Sequence, residues 1–557
     1  MTSDHEANRP GPAKRRDVLP QREAELRREF ERQPEAVGPV LELADLLVGL
    51  GRREEALNLY RQVVNAVEAG TQQQSRAHVQ LASQLTLLGR DQEAAEHGAT
   101  AQRLGGALPT ERADLGVQGT TPEQLTQVSP AVRVDAGGAA QATETAVAGP
   151  PGALVAAWND QRDGTVSGVW RLGTAWSDDG GESWTESLIR PPFAGADDYE
   201  GDPIAAYDPR TGDAWVGGVS FYQGGSIFVA RRRAGQNSFS APVVASKEPD
   251  GFYDKPLLVA GRGPSDPDST RLYITYSGGL IWSDDLGRTW SPTVPLFPSE
   301  IYYQPRIGPD GTLWILSWDH DAGIWLRRST DGGSTVGART SVVTRMDAWL
   351  ASDASRVPGS QRIPPLPSLA VGRDGTLYVV YCDTSSVTDG ETDLDLFLTT
   401  SGNRGQTWTA PVLVNQDAPS SPALPGDQFA PWLEIDENGR LHLVFMDTRY
   451  HAQSDEDFEA LIDVTYSFSD DGGVTWHETR VTGSSTSSTA AVWQGGPLVD
   501  DYQFIGDYIG LTVSDPKRPV VVYSAQSGND LDIFSRSLEP PIFIDGFESG
   551  TLDAWSP

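Results

Sequence analysis

An eight-residue pattern, Ser-x-Asp-x-Gly-x-Thr-Trp, recurs along the chain and restricts its fold more than any other feature. It stands at Ser469–Trp476 (SDDGGVTW), Ser177–Trp184 (SDDGGESW) and Ser283–Trp290 (SDDLGRTW). Ser401–Trp408 (SGNRGQTW) carries Asn403 in the aspartate place, and Ser329–Val336 (STDGGSTV) keeps all but the tryptophan. These residues suit a tight β-hairpin. The carboxylate accepts hydrogen bonds from backbone N–H groups of its own turn, and the glycine supplies a φ that other residues resist. The Ser and Thr hydroxyls add local bonds, and the indole covers the hairpin.

Around the octets, from about Val128 onward, the pattern is all strands. Thr145–Trp158 opens a first unit and Asp202–Gly217 a second, followed by Lys255–Thr275 and Gln304–Leu316. Pro367–Tyr381, Pro431–Phe445 and Tyr508–Tyr523 complete a series of seven. The second unit has only a degenerate octet (Arg232–Phe239), and the seventh ends at Ser537 without one, lacking an outer strand. Pro130–Val134 is similar to Ala410–Val414, which follows an octet, and is predicted to supply that strand and close a ring.

The repeated octet resembles the Asp box, or BNR repeat, of sialidases and related β-propellers, over roughly residues 128–538. The resemblance implies a mainly β chain with a seven-bladed propeller. It says little about chemistry, because in that family the boxes lie at the blade periphery, away from the binding mouth.

Residues 1–20 read as a disordered leader, and 21–104 as a small all-α module. There Ala44, Leu47, Gly51, Ala56 and Tyr60 recur in offset as Ala82, Leu85, Gly89, Ala94 and Gly98. This resembles tetratricopeptide repeats, implying helical hairpins that dock on the propeller or contact a protein partner. Residues 105–127 read as a linker. The tail 539–557 (EPPIFIDGFESGTLDAWSP) resembles a C-terminal segment of exported proteobacterial proteins, although no apolar signal segment follows Met1.

Lys+Arg 43 against Asp+Glu 77 gives a net charge of −34, which argues against nucleic acid or an anionic membrane as partner. Cys382 stands alone, so no intramolecular disulfide forms, and no apolar run is long enough to span a bilayer.

First-strand starts and second-strand ends meet at one rim of such a ring. The expected rim residues are Glu200, Asp202, Asp254, Lys255, Gln304, Gln428, Asp507 and Tyr508, with Asp160, Arg162, Asp447 and Arg449 from second strands. Carboxylates dominate. In the sialidase family an arginine triad binds the substrate carboxylate; Arg362 (QRIP) looks like one member but falls out of register. Tyr508 sits in the register of the family's nucleophilic tyrosine, with Asp507, Asp160 or Glu200 as candidate acid or base. Oxygen ligands at Asp202 and Asp254 are a candidate Ca²⁺ site. Two functions stay open: a recognition module binding a carbohydrate or protein ligand at the mouth, and a sialidase-type glycoside hydrolase.

Overall fold

The computed structural model describes residues 27–28, 40, 53–65, 126–137, 141–161, 171–190, 200–220, 225–247, 253–264, 266, 268–297, 300–319, 323–344, 363–388, 391–416, 426–450, 460–490, 492–493, 502–503, 505–515, 517–527 and 530–540. Seven antiparallel sheets form a seven-bladed β-propeller. Blade 1 runs Ala142–Ala148, Leu154–Asp160, Arg171–Ser177 and Thr185–Ile189 from the inside outward. The innermost strands of the next five blades are Glu200–Asp208, Leu257–Arg262, Glu300–Ile307, Ser368–Val371 and Gln428–Ile435.

Blade 7 takes Gly510–Thr512, Val520–Ser527 and Asp530–Glu539 from the C-terminal part. Its outer edge comes from early in the chain: Val132 and Arg133 pair with Ser535 and Phe534, and Gln127 and Val128 with Glu539 and Leu538. The predicted closing strand is therefore in place. Arg133 also forms an ion pair with Asp532.

Second strands such as Leu154–Asp160 and Leu313–Asp319 are buried at every residue. Blades stack face to face, so both faces of these strands meet side chains, and their sequences (LVAAWND, LWILSWD) run apolar without strict alternation. The core is accordingly shared between neighbouring blades, as where Trp215 and Ile204 of blade 2 join Leu272 and Ile274 of blade 3.

The octets form the turns their residues dictate. In Ser329–Val336, Ser329 Oγ donates to Asp331 at 2.8 Å and accepts the Gly333 N–H at 2.8 Å, while the Thr335 N–H and hydroxyl both donate to Asp331. The same bonds recur around Asp179, Asp285 and Asp471. The Thr335 hydroxyl and N–H hold the Asp331 carboxyl below its ordinary range. Gly473 has φ of 95°, and a Cβ there would lie 2.0 Å from Leu398 Cδ2, so this place needs glycine twice over. The second octet residue often binds an arginine: Arg440 grips Asp470, with Nη2 at 2.9 Å, and Arg271 grips Asp284.

In the N-terminal region the helix described in full is Arg53–Asn65, with Leu57, Tyr60 and Val63 on its buried face; Arg27, Arg28 and Val40 are also helical. Most of the expected pair of repeats, including Ala44, Leu47 and Gly51 of the first copy and the whole second copy around 82–98, lies outside the described residues, and one complete helix by itself does not support a helical-hairpin module. No described helix is long and apolar enough to cross a membrane.

Candidate functional site

The strand pairings place one residue of each blade in a ring at the start of the innermost strands: Glu144, Asp202, Lys255, Tyr302, Leu366, Ala430 and Tyr508. All seven are buried. Bulges at Thr143/Thr145, Gly201/Ile204 and Phe429/Trp432 create the positions of Glu144, Asp202 and Ala430. Those three residues and Lys255 have φ between 49° and 51°, a left-handed backbone unusual outside glycine. Such strain persists only where surrounding contacts hold it, and it concentrates at functional sites.

Four of the seven ring members, with Asp507, form one connected network. The Tyr508 hydroxyl donates to Asp202 Oδ1 at 2.8 Å, and the Lys255 backbone N–H donates to Asp202 Oδ2 at 3.1 Å. Lys255 Nζ forms an ion pair with Asp507 and lies 3.5 Å from the Tyr508 hydroxyl and 5.1 Å from its ring centroid. Glu144 accepts the Asp507 N–H at 3.1 Å and the Asn159 amide at 2.8 Å. Blades 7, 1, 2 and 3 are thus tied together across the axis. Burial, then the charges of Asp202, Glu144, Asp507 and Asp254, push the Tyr508 hydroxyl well above the ordinary tyrosine range.

The other expected rim residues fall into separate groups. Asp160 accepts the Trp158 indole at 3.1 Å within blade 1, where Trp158 packs toward blade 7, and Glu200 of blade 2 accepts the Leu172 N–H of blade 1 at 3.0 Å. Asp447 binds Arg449 Nε at 2.6 Å and Gln428 Nε2 at 3.2 Å, while Arg449 Nη1 reaches Glu478 at 2.7 Å. Asp254 is half-buried. Arg162 and Arg362 lie outside the described residues. Both oxygens of Asp202 are taken by protein donors, and no group of three or more His, Cys, Asp or Glu among the described residues is arranged to hold a metal.

Gln304 stands one ring deeper than its proline suggested. Pro305 lies two residues further along its strand than Pro431 does, so Tyr302 fills the place expected for Gln304. Gln304 instead accepts the Leu369 N–H at 2.5 Å and donates to Ser368 Oγ at 3.3 Å, bridging blades 4 and 5. Glu144 carries no such mark in the sequence, because Thr145 follows it where Asp202, Lys255 and Ala430 are followed by proline.

Below the first ring lies an axial cavity of about 340 Å³. Small side chains of blades 7, 1, 2 and 3 line one side, among them Ala146, Ala148 and Gly510; Arg306, Trp432 and Glu434 form the other. Arg306 Nε donates to the Leu369 carbonyl at 2.9 Å and Nη2 to Glu434 Oε1 at 2.8 Å, and its guanidinium lies 5.4 Å from the Trp432 ring centroid.

No protein-family model matches the chain. No curated protein matches it either. Solved structures similar in fold include a protein of unknown function from Dyadobacter fermentans, at 15% identity and TM-score 0.43, covering 75% of this chain and 100% of that one. The Hadza microbial sialidase Hz136 is similar at 16% identity and TM-score 0.37, covering 72% of this chain and 66% of that one. A mutant of NanB sialidase from Streptococcus pneumoniae is similar at 11% identity and TM-score 0.37, covering 75% and 70%. Likeness at this level concerns the fold and carries nothing about chemistry.

Proposed function

We propose that this sialidase-like propeller is a recognition module whose mouth binds a glycan or a protein loop without cleaving it. One observation carries the reading: the Tyr508 hydroxyl is buried and committed to Asp202 within a network whose one cation, Lys255, is neutralised by Asp507. Four carboxylates, Asp202, Glu144, Asp507 and Asp254, act on that hydroxyl against the single ammonium of Lys255. An anionic sugar ring brought there meets negative potential in place of the guanidinium forks that suit a carboxylate. Sugar hydroxyls and cationic side chains of a protein loop are better matched to an acid-lined mouth.

A second reading, hydrolysis of the sialidase type, draws on the same 2.8 Å contact. A tyrosine nucleophile needs a neighbouring carboxylate to take its proton, and Asp202 is within reach. Turnover of a fluorogenic sialoside by wild type and Tyr508→Phe separates the two. Recognition expects no turnover by either protein, with retention on a glycan array or by a basic peptide. Turnover by wild type that is lost in Tyr508→Phe overturns it in favour of hydrolysis.

A further inference from the structure

We infer that the axial cavity is a second binding site, opening on the face of the ring opposite Tyr508 and shaped for a small uncharged molecule that carries a vicinal diol. This goes beyond the mouth reading and does not rest on it. The Tyr508 network roofs the cavity: of the seven first-ring residues only Tyr508 touches it, and all seven are buried. At the other end the wall runs to Tyr207, which is half-buried, and Ser514, which is exposed. Access is therefore from the far face.

The volume of about 340 Å³ equals roughly eleven waters at ~30 Å³ each and falls at the small end of ligand pockets, which run from about 300 to 1,000 Å³. The chemistry of the wall selects the occupant. The innermost strands end their sheets, so their channel-side backbone groups have no strand partner among the described residues. Arg306 and Glu434 form an ion pair, so the pair adds no net charge and an uncharged guest is favoured. Glu434 Oε1 is saturated by Arg306 and by the Trp432 indole at 2.9 Å, which leaves Oε2 without a donor among the described residues. Arg306 Nη1 makes only a long 3.5 Å contact to the Pro305 carbonyl. A carboxylate oxygen with acceptor capacity and a weakly engaged guanidinium N–H, on an ion-paired Arg306 and Glu434 that both line the cavity, suit two adjacent hydroxyls, one donating and one accepting. The small side chains opposite, Ala146 and Ala148, leave room for the apolar face of a ring.

Saturation-transfer NMR on the full chain tests this, with glucose, galactose and myo-inositol as probes and cyclohexanol as the control without a diol. At least one probe is expected to bind wild type in the millimolar range, with cyclohexanol much weaker. Ala148→Phe, which fills the cavity, should abolish the signal. Glu434→Gln, which keeps the volume and removes the charge, should weaken binding by at least about tenfold. Should Ala148→Phe fail to fold, Glu434→Gln decides alone. Three results overturn the inference: no probe binding to wild type, meaning the cavity holds water only; cyclohexanol binding as well as the probes; or probe binding unchanged in Glu434→Gln.

Discussion

The Tyr508 hydroxyl donates to Asp202 at 2.8 Å, although the two residues stand 306 positions apart in the chain and on blades 7 and 2. The bond works as a cross-brace over the channel. Removing it in Tyr508→Phe leaves a buried carboxylate oxygen without its donor, at a cost of about 1–3 kcal/mol. Lys255→Met should cost more, about 3–5 kcal/mol, because the buried Asp507 carboxylate then loses the ammonium it is paired with. Urea denaturation of the two variants checks the order. If Lys255→Met proved as stable as wild type, the network would not be what holds these four blades together.

Blade 6 holds a buried titratable pair that predicts an acid-side loss of stability. His442 is fully buried; its Nδ1 lies 2.7 Å from the Tyr466 hydroxyl and its Nε2 3.5 Å from Asp436 Oδ2. Burial lowers the imidazole below its ordinary value, against the opposing pull of Asp436; Arg440 lowers it further and Asp470 raises it. A histidine depressed in the fold binds its proton more readily when unfolded. Its contribution to stability is thus complete above pH ~6.5 and is lost as the pH falls through the lower folded value. In His442→Gln the decline in melting temperature as the pH falls below about 6.5 should flatten relative to wild type. A variant that keeps the full wild-type slope would show that other groups set it.

Much of the architecture is legible in the sequence because the octet fixes a turn by local bonds alone: Ser469, Asp471, Gly473 and Thr475 satisfy one another without outside help. The start of the innermost strand is read less securely, because its register depends on a bulge rather than on residue type. Proline marks the place at Asp202, Lys255 and Ala430, misplaces it by two at Gln304, and is missing after Glu144. Arg306, Trp432 and Glu434 are not visible as a group at all. They lie up to 128 positions apart, and only the ring geometry brings Arg306 to Glu434, past the intervening first strand of blade 5.

Closure of the ring gives the last prediction. Among the described residues, Asp530–Glu539 has no outer neighbour except the two short strands Gln127–Val128 and Val132–Arg133. The Trp184 indole donates to Ser535 at 2.9 Å, and Arg536 Nη1 donates to the Ser129 carbonyl at 3.0 Å, so the seam is bound from both sides. Deleting residues 1–120 leaves all of these contacts intact. Deleting 1–135 strips the edge, frees Asp532 from Arg133, and exposes a ten-residue strand that can template association. The longer deletion should melt lower than the shorter one and scatter light increasingly with concentration. Equal melting and equal scattering for the two would mean that the ring is shut by the third strand alone. Such an outcome conflicts with the cost of leaving a row of unpaired backbone groups at a sheet edge.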